Sequence, residues 1–172
     1  MFSSLSFADE KPKGWNIVAE LKNGAIMLVN LDYAKPTRVS MNKVILAKIR
    51  IQYSAETQYE MEKIIKDIIK KSLRLNERFP LKFNIDNYKT TVYPNHTNWN
   101  IKYSEKEIVF DPNNNRFVII KSETFDEENK LIILDQYYDS VLALSEKSSW
   151  DYIASNQGLN SVMEYLLKYV KL

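Results

Sequence analysis

Glu107-Ile-Val-Phe-Asp-Pro-Asn-Asn-Asn-Arg-Phe-Val-Ile-Ile-Lys-Ser122, Lys130-Leu-Ile-Ile-Leu-Asp-Gln-Tyr-Tyr138 and Leu159-Asn-Ser-Val-Met-Glu-Tyr-Leu-Leu-Lys-Tyr-Val170 together decide the fold class of this chain. The first stretch is two strand-like runs divided by Pro112-Asn-Asn-Asn115, residues that favour turns through fixed or left-handed backbone angles. A second turn at Asp126 to Asn129 leads into Leu131 to Tyr138. With Trp99 to Tyr103, Glu107 to Asp111 and Arg116 to Thr124, these runs predict an antiparallel meander. In the last stretch the period changes. Leu159, Val162, Met163, Leu166, Leu167 and Val170 fall at i, i+3, i+4, i+7, i+8 and i+11, the apolar stripe of a helix that packs on a sheet.

Toward the N-terminus, Trp15 to Leu21 and Ala25 to Leu31 flank Asn23-Gly24, which predicts a β-hairpin closed by a type I′ turn. Lys43 to Tyr53 alternates Ile45, Ala47, Ile49, Ile51 and Tyr53 with Lys48, Arg50 and Gln52, the pattern of a half-buried strand with one partly wet face. From Ala55 to about Arg74 the period is helical, with Met61, Ile64, Ile65, Ile68 and Ile69 as the apolar stripe. Ser54 or Thr57 can cap its start, and Thr57 with Glu60 has capping-box spacing. Leu81 to Asn98 lacks steady alternation and reads as an irregular connection holding one short strand. The expectation is a single α+β domain over residues 15–172: an antiparallel sheet of about six strands, a middle helix, and a C-terminal helix docked on the sheet.

Composition narrows the class. The chain has 172 residues, 45% of them hydrophobic and 27% charged, enough for one globular core and too apolar for disorder. Three glycines against eleven tyrosines favour pleated, half-buried surfaces. A formal charge of +2, from 24 basic and 22 acidic residues, gives no whole-chain field for nucleic acid. The absence of cysteine excludes disulfides, thiolate metal sites and cysteine nucleophiles. Residues 1–14 read as a leader: Ser6-Phe7-Ala8 places small residues where a signal peptidase cuts, so this run is either the tail of a signal peptide or a disordered segment. No run approaches the ~18 apolar residues of a membrane-spanning helix.

Few residues carry chemistry. His96 is the sole histidine and has no cysteine or second histidine to complete a metal or nucleophile set. Asp126-Glu127-Glu128-Asn129 lacks the ligand spacing of a calcium loop and reads as a solvated turn. No glycine-rich phosphate loop or hydrolase signature is present, and no catalytic residue, metal or cofactor is expected. Lys63, Lys66, Lys70 and Arg74, with Arg78 beyond, form a basic stripe on the middle helix that would attract polyanions. The plainer reading is a wet helix face whose lysines pair with Glu62 and Asp67. Tyr138 and Trp150, close to Tyr137 and Tyr152, could anchor an interface or belong to the core.

The stretches Glu107 to Leu131, Trp150-Asp-Tyr-Ile153 and Val162 to Val170, with Trp15-Asn-Ile-Val18 and Ala25 to Asp32, resemble the surface-adhesin protein E family of small bacterial envelope proteins. The resemblance implies an antiparallel sheet with a docked C-terminal helix and a role in binding host matrix and serum proteins. It also implies a disulfide tying helix to sheet, where this chain has Pro112 and Lys171 instead. Such a bridge typically contributes ~2–4 kcal/mol. Six apolar side chains at roughly 1.5–3 kcal/mol each offset its loss. The resulting expectation is a non-enzymatic, exported envelope protein that binds host matrix proteins, acidic glycans or cell-wall polymer, without nucleic acid or a transmembrane segment, and with homodimerisation open. The alternative is a periplasmic domain holding a small ligand between sheet and helix. A small hydrolase would need two carboxylates facing one cleft.

Overall fold

The computed structural model describes residues 12–74, 80–85, 88–93 and 100–172. Among them lie nine strands and two α-helices: β1 (Trp15–Glu20), β2 (Ile26–Val39), β3 (Asn42–Gln52), α1 (Ala55–Arg74), β4 (Leu81–Ile85), β5 (Tyr88–Val92), β6 (Ile101–Asp111), β7 (Arg116–Asp126), β8 (Leu131–Gln136), β9 (Asp151–Tyr152) and α2 (Gln157–Tyr169). They form one antiparallel sheet in the order β1-β2-β3-β6-β7-β8-β5-β4, with β9 added beside β7. The α+β class predicted from sequence holds, while the strand count exceeds six. The leader expected over residues 1–14 lies outside the described residues up to residue 11.

Three local readings change. The segment read as irregular contains the hairpin β4–β5, paired from Leu81↔Val92 to Ile85↔Tyr88 and joined to β8 through β5. Its alternation is masked because Lys82, Lys89, Thr90 and Thr91 occupy positions near a sheet edge, where polar side chains reach water. The runs around Tyr103 and Glu107 are one strand, β6: Ser104, Glu105 and Lys106 interrupt the apolar pattern yet stay in the ladder. The first hairpin is not closed by a type I′ turn. Gly24 N donates to Leu21 O at 2.9 Å and Leu21 N to Ala25 O at 2.7 Å, and only Gly24 in this loop has positive φ, at 75°. Lys22-Asn-Gly24 is therefore a three-residue loop ending in a left-handed glycine. Asn23 bonds Thr57 Oγ1 through its Nδ2 at 3.2 Å, tying the loop to α1, whose start is capped by Ser54 Oγ accepting from Thr57 N.

Both helices lie on one face of the sheet. Under α2, Met27, Val29, Ile45, Ala47, Ile49, Ile108, Phe110 and Phe117 meet Leu159, Val162, Met163, Leu166 and Val170. Leu167, predicted for this stripe, is 44% exposed. At 100° per residue it sits about 80° around from Leu159, on the rim of the stripe rather than at its centre. Under α1, Ile65 packs with Ile101 and Ile132, with Tyr53, Met61 and Ile133 half-buried beside them. Ile64 is 60% exposed, which corrects its place in the predicted α1 stripe. The side chains of Ile68 and Ile69 lie outside the described residues.

Candidate functional site on the helix-free face

One end of the opposite sheet face is capped. Val39, Val44, Leu46, Val109, Val118 and Ile120 are covered by Leu144, with Val141, Tyr138 and Trp150 half-buried against them. Tyr138 and Trp150, the aromatic anchors proposed from sequence, are thus engaged in this cap. Tyr138 OH accepts from Ser149 N at 2.9 Å, and Trp150 Nε1 donates to Ser145 O at 2.9 Å. The Arg116 guanidinium lies 4.4 Å from the Trp150 ring and holds buried Asp111 at 2.9 Å and Glu146 at 2.7 Å. A cation over an indole face is attracted by the ring quadrupole, so Arg116 pins the cap to the end of the sheet.

Beyond the cap, no described helix covers this face, and it carries charge. Alternation along β3 sends Lys48 and Arg50 here, and the register places Arg50 opposite Glu105 and Lys48 opposite Glu107. On the next pair, Glu105 faces Glu123 and Glu107 faces Lys121. Glu105 joins the array: Arg50 Nη2 approaches one carboxylate oxygen at 2.5 Å and Lys48 Nζ the other at 3.1 Å. Lys121 lies 3.3 Å from Glu123. Two like charges directly opposite destabilise a strand pair. Glu105 and Glu123 tolerate the position because each has its own cation.

Aromatic rings frame the charges. The Arg50 guanidinium lies 4.6 Å from the Trp15 ring and 4.0 Å from the Tyr103 ring, and Tyr103 stacks on Phe125 at 5.0 Å. Lys48 sits 5.8 Å from the Tyr33 ring. Burial, the negative charge of Glu107 and a hydrogen bond to that carboxylate push the Tyr33 phenol up to about 12. Lys48, Arg50 and Lys121 balance Glu105, Glu107 and Glu123. The array is therefore a charge-compensated, ring-framed surface suited to complementary surface contacts, and it has no net field to concentrate a polyanion.

The basic stripe occupies a different place. Lys63, Lys66 and Lys70 are exposed on α1, and Lys66 Nζ lies 3.5 Å from Glu62. The Arg74 side chain, Arg78 and His96 lie outside the described residues. An open cleft of about 760 Å³ runs along the junction of β1 and α2, lined by Val18, Glu20, Leu21, Asn156, Gly158 and Ser161. Among the described residues no group of three or more His, Cys, Asp or Glu side chains could hold a metal ion, and no helix is long and apolar enough to cross a membrane.

The sequence shows half of the charged array. Like-facing charges at i, i+2 in Lys48/Arg50, Glu105/Glu107 and Lys121/Glu123 mark one side of each strand. Nothing local says that β3 lies beside β6. No protein-family model, curated protein or solved structure matches the chain.

Proposed function

We propose that this chain is a non-enzymatic, exported envelope protein of adhesin-like kind, and that it binds a protein partner through the helix-free face of its sheet. The observation that carries the reading is the compensated Lys48, Arg50, Glu105, Glu107, Lys121 and Glu123 array with rings at its rim. Alternating charges favour a partner that presents the complementary alternation, as a protein surface does, and disfavour a uniformly anionic polymer. Half-buried Tyr33 and Phe125 supply the ring type enriched at interfaces, while buried Trp15 and Tyr103 hold the Arg50 guanidinium in place. The α1 lysines would serve a separate, weaker polyanion contact.

Surface plasmon resonance over immobilised laminin and fibronectin tests this. Lys48→Glu/Lys121→Glu should abolish binding that Lys66→Glu/Lys70→Glu leaves in place. Loss only in the second variant, or no binding by the unaltered chain, refutes the assignment.

The β1–α2 cleft favours a second reading, a domain that holds a small ligand between sheet and helix. Ligand-induced shifts confined to Val18, Leu21, Asn156 and Ser161 in an NMR screen of small metabolites would favour it over the protein-binding role.

A further inference from the structure

Between the two cores on the helix-bearing face runs a polar seam. Lys106 of β6 stands directly opposite Ser122 of β7, Ser122 opposite Asp135 of β8, and Asp135 opposite Thr90 of β5. One row along, Ser104 faces Thr124, and their hydroxyls meet at 2.7 Å while Tyr53 OH lies 2.7 Å from Ser104 Oγ. Ser104, Ser122 and Thr124 are buried. Apolar side chains border the seam on both sides: Ile49 and Ile108 toward α2, and Ile65, Ile101 and Ile133 toward α1.

Most of these polar groups satisfy one another. Tyr53, Ser104 and Thr124 form a closed chain, and Thr90 Oγ1 lies 2.7 Å from Asp135 Oδ1. Lys106 Nζ and Ser122 Oγ differ, because no hydrogen bond to either joins them to another described group. No fully buried side-chain nitrogen or oxygen among the described residues lacks a hydrogen-bond partner, so these two atoms keep some solvent access. Burial lowers the pKa of the Lys106 ammonium, and the charge of Asp135 only partly opposes this. The fold thus holds a partly desolvated cation on the strand beside a hydroxyl donor, with apolar side chains to either side.

The geometry points to a binding site for a monocarboxylate with an apolar body, in which one carboxylate oxygen takes the Lys106 ammonium and the other the Ser122 hydroxyl. Cross-strand neighbours stand within reach of one small planar group. Two donors match two oxygens, and the bordering isoleucines match an aliphatic or aromatic remainder. Asp135 sets the selectivity, since its negative charge on the far side of Ser122 repels a second anionic group. Dianions and phosphates are disfavoured. This site is independent of the helix-free face, and either can fail without the other.

Two-dimensional amide NMR of the full chain, titrated with octanoate, 1-octanol and inorganic phosphate, tests the assignment. Octanoate should shift Lys106, Ser122 and Asp135 saturably, with 1-octanol bound at least about tenfold more weakly, the effect of losing one hydrogen bond to a charged group. Phosphate should leave these amides unmoved. Lys106→Met, with folding checked by the rest of its amide spectrum, should weaken octanoate about tenfold or more, and Lys106→Arg should retain part of the binding. Equal affinity for octanoate and 1-octanol, shifts confined to other regions, or undiminished binding by Lys106→Met each overturns the proposal. If Lys106→Met does not fold, the octanoate to 1-octanol ratio on the unaltered chain decides alone.

Discussion

Replacing Glu105 with Gln tests the charged array most directly. The carboxylate holds Arg50 at 2.5 Å and Lys48 at 3.1 Å with its side chain 11% exposed. A fully exposed pair contributes about 0–1 kcal/mol, and stripping one partner from a fully buried pair costs about 3–5 kcal/mol. Glu105 lies between these limits but compensates two cations. Arg50 keeps its stacking on Trp15 and Tyr103, and the amide oxygen still accepts a hydrogen bond. The expected loss is about 2–3 kcal/mol, equivalent to a fall of roughly 4–12 °C in Tm for a chain of this size. Urea unfolding followed by circular dichroism gives the midpoint and slope in low salt and in 1 M salt. The loss should largely persist in high salt, because a partly desolvated pair is screened less than an exposed one. A loss below about 0.5 kcal/mol, or one that vanishes in high salt, would mean that the array behaves as independent surface charges. The same variant changes the array from three cations and three carboxylates to a net positive surface, so its retention on heparin should rise.

Other positions give sharper contrasts. Leu166→Ala, at a fully buried site under α2, should cost about 3–4 kcal/mol in urea unfolding, while Leu167→Ala, on the exposed rim, should stay within about 0.5 kcal/mol. Gly158→Ala would place a Cβ 2.5 Å from Met27 Sδ and 2.7 Å from Leu21 Cδ2. The clash outweighs the helix-propensity gain and should destabilise by about 1 kcal/mol, with a smaller loss in a Leu21→Ala background. Tyr33 and Tyr137, both pushed up to about 12, bind protons more tightly folded than unfolded. Stability should therefore be fully present below pH 10 and decline as pH rises from about 10 to 12. Ultraviolet titration should show a late-ionising tyrosine fraction that shrinks in Tyr33→Phe.

The sequence by itself determined the α+β class, the alternation of β3, the turn-bounded runs of β7 and β8, the start of α1 and the apolar stripe of α2. Each of these is local: pleat and helical turn repeat within a few residues, so one segment suffices to read them. It also marked Lys48 and Arg50 as one wet side of a strand. Polar residues at an edge hid the β4–β5 hairpin, and Ser104-Glu105-Lys106 hid the continuity of β6, because the partners that satisfy Ser104 and Glu105 lie on other strands. Only the tertiary structure decided that β3 lies against β6 across the intervening α1 and β4–β5 hairpin. That placement brings Arg50 onto Glu105 on one face, whereas Lys106 meets Ser122 on the other through the β6–β7 hairpin. Side-chain direction is set residue by residue along a strand, whereas strand neighbours are chosen by how the whole chain buries its apolar faces. The pairing of Arg50 with Glu105 arises from that second choice.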